Sequence, residues 1–341
     1  MTMTSETEAL GLRKGVFAGQ HTWQVISVLI VVAIAAVLPF VLSNYRTLQA
    51  TLVLIYAITL LGLNILTGYN GQISLGHGAF YGVGAYIAVI LINHAGLPYW
   101  STIPIVALIC LVGGFLFGLP ALRLEGLYLA LATFALAVAL PQILKHPALT
   151  KWTGGFQGIT INPVPVPGKL PLNPDQWLYL FCLAVTLIMF AIAWNLLRGR
   201  TGRAIVAIRE HTTAAVGMGI NAAFYKSMTF GVSAMFAGVG GALGALTAQF
   251  VSPDSFGFFL SITLLVGIVV GGIATISGAL FGAVFIQFVP NIADQISKAA
   301  PWALYGVILI GFMYLMPQGI VGLLRTIPDH YRNVFAVLRH R

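Results

Sequence analysis

Residues able to do chemistry are sparse in this chain. The densest group lies in G-Y-N-G-Q-I-S-L-G-H-G-A-F-Y-G-V-G-A-Y, over 68–86. Asn70, Gln72, Ser74 and His77 alternate there with Gly68, Gly71, Gly76, Gly78, Gly82 and Gly84. So many glycines permit backbone that is not helical. At membrane depth such backbone must line a cavity or be buried in protein. Its free N–H groups suit a substrate's acceptors, and the positive end of a half-helix favours a carboxylate. Gly71, Gln72, Ser74, Gly76 and His77 are therefore candidates for a translocation pathway. The same composition also suits a tight buried turn between helices. His77 alone reads as a hydrogen-bonded structural histidine rather than as a ligand or base.

Two further stretches are unusual. The segment 198–226 carries five basic residues and one acid, Glu210. Within it Ile205, Ile208 and Thr212 fall at i, i+3 and i+7, with Val216 one turn beyond. That spacing predicts a narrow apolar stripe on a short helix, with Arg203 and Arg209 off the stripe. Asn221, after Gly217 and Gly219, is a stop or the next cap. Such a helix either lies on a lipid surface or docks in a partner's groove. The segment 145–176 is rich in Pro and Gly, with Thr153, Gly154, Gly155 and Gly158 ahead of Pro163, Pro165, Pro167, Pro171 and Pro174. It reads as a solvated connector or as a stiff docking surface for a soluble protein that delivers substrate.

The absences narrow the chemistry. No G-x-x-x-x-G-K-[ST] loop, H-E-x-x-H or G-x-S-x-G occurs. Cys110 and Cys182 sit in apolar runs and read as packed small hydrophobes, with no metal-ligand spacing around them. All eight acids fall in expected loops or tails, Asp294 coming nearest to a span. A proton-coupled carrier normally sets Asp, Glu or His within its spans. The chain reads as a pathway with no energy source of its own, which predicts partners.

The elements that must position these residues are membrane helices. Of 341 residues, 59% are hydrophobic and 7% charged, against roughly 25% charged in a soluble domain. That excludes a cytosolic enzyme, a secreted disulfide scaffold and a disordered chain. Ten apolar runs lie near 24–43, 48–67, 78–93, 101–122, 126–144, 177–197, 227–249, 258–273, 277–293 and 302–323. They are close to the ~17–25 residues a spanning helix needs, and continuous rather than alternating. The polar start of the chain, with Glu6, Glu8, Arg13 and Lys14, reads as a tail before a retained span, not as a signal peptide. With both termini cytosolic, the basic residues divide 12 inside to 5 outside, the direction of the positive-inside rule. The net charge of +9 is then a topology signal rather than a nucleic-acid footprint. The expected organisation is a cytosolic tail (1–23), one all-α polytopic domain (24–323) and a basic cytosolic tail (324–341). Glycine pairs four apart, Gly78/Gly82, Gly114/Gly118, Gly240/Gly244, Gly267/Gly271 and Gly278/Gly282, predict close helix packing.

The stretch 68–86 closely resembles the second-span signature of permease subunits of branched-chain amino acid ABC importers, of the LivM type. The resemblance continues in family order through L-R-L-E-G-L-Y-L-A-L-A-T (122–133), T-G-G-F-Q-G-I (153–159), G-R-A-I-V-A-I-R-E (202–210) and G-I-N-A-A-F-Y-K (219–226). S-P-D-S-F-G (252–257), G-G-I-A-T-I-S-G-A-L-F-G-A (271–283) and P-Q-G-I-V-G-L (317–323) complete it. It implies a multi-pass protein of the bacterial inner membrane that forms half of a pathway for leucine, isoleucine and valine. Close relatives of this type serve urea, amides and other amino acids, and a stand-alone ion-coupled transporter or a membrane scaffold is the reading from other classes. Implied partners are a second, LivH-type permease, two ATPase subunits holding ATP and Mg, and an external substrate-binding protein. This chain would hold no cofactor and catalyse no covalent step. T-A-A-V-G-M-G (213–219) resembles the coupling motif E-A-A-x-x-x-G, with Thr213 where Glu is usual. Glu210, four residues before Ala214, is the candidate to supply that charge. Arg203, Arg209, Glu210, Thr213, Ala214, Ala215 and Gly219 would form the ATPase-coupling element, and Thr153, Gly154, Gly155 and Gly158 the docking surface for the binding protein.

Overall fold

The structure, a computed structural model, describes residues 29–124, 126–167, 171–296, 301–316 and 318–323. The expected tails 1–23 and 324–341 lie outside these residues. So do Lys169 and Lys298 of the charge count, and Glu125 and Pro317 of the quoted motifs.

The described chain is almost entirely helical. Helix α1 covers Leu29–Val41. Helix α2, Asn44–Leu63, runs on into a π-helical turn, Asn64–Tyr69. Then follow α3 (His77–Ala95), α4 (Tyr99–Ala121), α5 (Leu127–Leu144) and the short α6 (Thr150–Thr153). After these come α7 (Pro174–Arg198), α8 (Arg200–Glu210), α9 (Thr212–Gly217) and α10 (Ala222–Ala248). The series ends with α11 (Phe258–Gly271), α12 (Ile276–Ile296) and α13 (Pro301–Leu315). Among the described residues nine helical stretches are long and apolar enough to cross a membrane, and α1 is a shorter apolar helix. The ten expected spans fall on α1–α5, α7 and α10–α13. The polytopic helical reading therefore holds, as lipid requires of backbone that must satisfy its own polar groups.

Helix α10 is the axis of the fold. The most apolar stretch of Ala222–Ala248 is 94% buried, against 28% for α7. A helix can be enclosed on all sides only if its neighbours come close. A-G-V-G-G-A-L-G-A (237–245) lets them. A Cβ on Gly238 would strike Cys110 of α4, and one on Gly240 would strike Thr59 of α2. On Gly241 and Gly244 it would meet the backbone and hydroxyl of Tyr81 on α3. Three helices thus press on four glycines of one. Lipid tails are as apolar as leucine, so association rests on such close packing rather than on escape from water. Helices α11 and α12 use the same device: Gly271 faces Gly278, and Gly267 faces Gly282, backbone to backbone.

Several threonine hydroxyls inside the bundle are satisfied locally. Thr51, Thr59, Thr186 and Thr247 each donate to the carbonyl four residues earlier, at 2.7–3.1 Å, which pairs those O–H groups within their own helices, whereas the buried hydroxyls of Tyr86 and Ser227 have no partner among the described residues. At one end of the bundle β1 (Ile159–Thr160) pairs antiparallel with β2 (Phe250–Val251), Ile159 opposite Val251. At the other end lie α8, α9, the π turn of α2 and the break between α11 and α12.

Candidate functional site

Segment 70–76 is not a plain turn. Helix α2 ends in its π turn at Tyr69, and α3 does not begin until His77. The extended chain between them folds back along the bundle. Leu75 donates its N–H to Thr133 Oγ1 at 2.9 Å, six residues inside α5. His77 Nε2 lies 3.4 Å from Ser233 Oγ. Ser233 stands eleven residues inside α10, so α3 starts about 16 Å in from the first residue of α10 at 1.5 Å per residue. Ser233 Oγ also donates to the Gly62 carbonyl at 2.7 Å, tying α2 to the same level.

The N–H groups around the break are largely taken within the chain. Gly78 donates to Ser261 Oγ of α11 at 3.0 Å, Gly76 to Ser74 Oγ at 3.3 Å and Gln72 to the Leu66 carbonyl at 3.1 Å. Thr67 Oγ1 donates to the Gln72 carbonyl at 3.0 Å. Ser74, Gly76 and His77 are buried, Gln72 is half-buried, and Gly71 is exposed. Gly71 has φ +74, a left-handed conformation that glycine takes without a Cβ clash. Gly76 has its Cβ direction filled by the Thr133 backbone. The pathway candidates thus divide between an accessible lip at Gly71–Gln72 and a buried seam at Ser74–His77. Within that seam the Nδ1 of His77 has no hydrogen-bond partner among the described residues, and neither amide atom of Asn70 has one.

The loop that was expected to carry a single stripe is two helices. His211 is extended (φ −156, ψ 93), so α8 and α9 are separate. Ile205 and Ile208 are each 1% exposed, whereas Val216 is 54% exposed. The stripe is thus a buried face on α8 and an open one on α9. Asn221 caps α10 as expected, accepting from the Phe224 N–H at 3.0 Å. Arg203, Glu210, Thr213, Ala214 and Gly219 are exposed, and Ala215 is buried. Gly219 has φ +84. Val216, Met218 and Phe224 leave an apolar surface around α9. Arg209 is different from Arg203. Its Nη1 donates to the Gly68 carbonyl at 2.7 Å, and its Nε lies 3.5 Å from Glu210 Oε1.

Sequence reasoning passed over Asn64. It lies in the π turn, fully buried. Its Oδ1 accepts from Ala274 N–H, and its Nδ2 donates to the Thr275 carbonyl, both at 2.8 Å. Thr133, Ser233 and Ser261 were passed over in the same way. The available signal was a polar residue inside an apolar run, which shows that a partner is needed but not which one.

At the opposite end, Thr153 is buried and Gly155 is enclosed with it. Thr153 Oγ1 donates to the carbonyls of Leu144 at 2.7 Å and Leu149 at 3.0 Å, and accepts from Gly155 N–H at 3.3 Å. Gly154, Gly155 and Gly158 all have positive φ, and a Cβ on Gly158 would strike Val251 of β2. These four residues shape the loop. The side chains it presents are Trp152, Phe156 and Phe250, 50%, 76% and 49% exposed. Lys145 pairs with Asp254 and lies 5.3 Å from the centre of the Phe156 ring.

Among the described residues no cluster of His, Cys, Asp or Glu could hold a metal ion. The arrangement is that of a transport element: backbone that leaves and re-enters the bundle at one end, beside a loop with an open apolar face. Known proteins agree. The family model described as "Branched-chain amino acid transport system / permease component" matches residues 45–317. The high-affinity branched-chain amino acid transport system permease protein LivM of Salmonella typhimurium is 31% identical over 330 residues. The match takes in 90% of this chain and 77% of that protein. LivM of Escherichia coli K12 matches to the same extent. The permease protein BraD of Pseudomonas aeruginosa is 23% identical over 285 residues, 78% of this chain and 91% of the relative. No solved structure matches. The chain is a multi-pass membrane protein and belongs to the branched-chain amino acid transport permease family.

Proposed function

We propose that this chain is the LivM-type subunit of an ATP-driven importer in a bacterial inner membrane, forming half of the pathway for leucine, isoleucine and valine. Its relatives LivM and BraD are named as permease proteins of high-affinity branched-chain amino acid transport systems, which supports this reading. Both termini are cytosolic, so the end bearing α8 and α9 faces the ATPases and the end bearing Trp152, Phe156 and Phe250 faces the binding protein. A second, LivH-type permease completes the pathway. ATP and Mg bind to the two ATPase subunits.

One observation carries this reading. The exposed apolar face of α9 lies at the same end as segment 68–76, and Arg209 joins the two through Gly68. A partner docked on α9 therefore has a mechanical route to the non-helical backbone of that segment. In this scheme the loaded binding protein docks, ATP closes the ATPases, the loop moves, and the permease pair alternates access. That requires substrate or partner to bind the two states differently.

The test is reconstitution of both permeases and both ATPases in proteoliposomes with the binding protein. Leucine uptake should require ATP and the binding protein. Uptake by this chain alone on an ion gradient would establish a secondary transporter instead. ATP-dependent uptake of urea or an amide in place of leucine would reassign the substrate.

A further inference from the structure

We propose that Arg209 is a positioning residue for transport, a strut that transmits movement of the cytosolic loop into segment 68–76. The inference rests on the proposed function and deepens it by naming the connection.

Helix α8 is built to move as one piece with α7. Ile205 and Ile208 are buried to 1% exposure. Gly202 packs so closely on the backbone of Leu197 that a Cβ would overlap it. Helix α9, beyond the extended His211, carries the open face. A push on α9 therefore arrives at the end of α8, where Arg209 stands.

The guanidinium and the stem of Arg209 each engage the segment. Nη1 donates to the Gly68 carbonyl at 2.7 Å. Carbonyls at a helix C-terminus lack intrahelical partners and carry the negative end of the dipole, so a cation there is well placed. The stem stands over the bare face of Gly71, where an added Cβ would come within 3.1 Å of Arg209 Cγ. Gly71 holds φ +74 beneath it. Pull and steric limit are thus both available: a charge-assisted hydrogen bond at Gly68 and the stem standing over Gly71.

The segment so gripped has reason to adopt a second arrangement. Asn70, between the two contact points, is buried at 3% exposure with neither amide atom hydrogen-bonded among the described residues. A buried polar group left unpaired is costly, so an arrangement of the segment that pairs Asn70 would recover that cost. The segment also bears on the α11–α12 break. A Cβ on Gly68 would lie 2.6 Å from the Ala274 nitrogen, and Asn64 of the same π turn holds Ala274 and Thr275. Movement at Gly68 therefore reaches α2, α3 and α11–α12 together.

The test uses the full transporter in proteoliposomes, with Arg209→Met to keep the stem and remove the donor, and Arg209→Lys to keep a cation. The readout is leucine moved per ATP hydrolysed, which loss of a merely structural cap would leave unchanged. For each ATP hydrolysed by the complex that assembles, Arg209→Met should move about tenfold less leucine, the scale of one charge-assisted hydrogen bond used as a coupling free energy. Arg209→Lys should fall between it and the parent. An unchanged ratio in Arg209→Met reduces Arg209 to a cap and overturns the proposal. Failure of both variants to hold the ATPases overturns it in favour of docking. A second readout is independent of substrate. Ile73 is 45% exposed, and the native Cys110 and Cys182 are buried. Maleimide labelling of Ile73→Cys should change with ATP when Arg209 is present and not in Arg209→Met. That response without leucine uptake would leave the strut standing and the substrate reading refuted. A labelling rate indifferent to ATP with Arg209 in place would refute the strut.

Discussion

Asn64 holds Ala274 across 210 residues of sequence: its Oδ1 accepts the Ala274 N–H at 2.8 Å while its Nδ2 donates to the Thr275 carbonyl at 2.8 Å. One side-chain amide thereby pairs two backbone groups that the break between α11 and α12 leaves open. Replacing Asn64 by Leu keeps the approximate volume and unpairs both groups, at about 1–3 kcal/mol each. The melting midpoint of the purified chain in detergent should fall clearly. An unchanged midpoint would show that the clamp contributes nothing.

Ala274 itself sits at φ +58. A left-handed conformation costs an L-residue with a Cβ roughly 1–2 kcal/mol, and glycine escapes most of it. Ala274→Gly should therefore match or exceed the parent in thermal stability, and Ala274→Val should fall below it. A drop on Ala274→Gly would mean that the alanine methyl contributes packing that outweighs the strain.

Close helix approach makes glycine positions unequal. A Cβ on Gly84 of α3 would overlap the backbone of Gly238 on α10, while one on Gly113 of α4 meets nothing within 4 Å. Gly84→Ala should separate the two central helices and cost at least the ~1–3 kcal/mol typical of overpacking. Gly113→Ala should be neutral or gain from helix propensity. Yield and melting temperature of the two variants measured side by side decide it.

The docking reading at the opposite end makes its own demand. Thr153 and Gly155 are enclosed, while Trp152 and Phe156 stand in the open. Truncating both aromatics to Ala should weaken stimulation of ATP hydrolysis by the loaded binding protein, with basal hydrolysis kept, since aromatic anchors carry much of an interface's energy. Equal stimulation would move the docking site elsewhere.

Lys145 and Asp254 form a pair whose acid is 70% exposed. The Lys145 side chain is only 12% exposed, but with its acid in solvent the pair is worth no more than about 1 kcal/mol. Asp254→Asn should shift the melting temperature little, and the shift should shrink further in high salt.

The membrane architecture was legible in the residues because bilayer thickness sets a length and lipid sets a composition. The ten apolar runs announced α1–α5, α7 and α10–α13 for that reason. Glycine spacing announced close packing because residues four apart share a helix face, and Gly267, Gly271, Gly278 and Gly282 do pack together. The loop 198–226 was legible only in part. Its apolar spacing continues from Ile208 through Thr212 to Val216, yet the helix stops at His211 with no Gly or Pro to mark the stop. Arg209, whose side chain is turned to Gly68, sits at that stop.

The sequence by itself determined that the chain crosses the membrane many times, that its helices pack through glycine, and which glycine-rich stretch could hold backbone that is not helical. Those are local properties, readable from the composition of one segment at a time. Only the tertiary structure decided where that stretch goes and what holds it. His77 meets Ser233, Leu75 meets Thr133, Gly78 meets Ser261 and Gly68 meets Arg209, from four different helices. The physical reason is that a hydrogen-bonding group inside lipid must find some partner, while its own sequence neighbourhood carries no information about which distant helix will bring that partner within 3 Å.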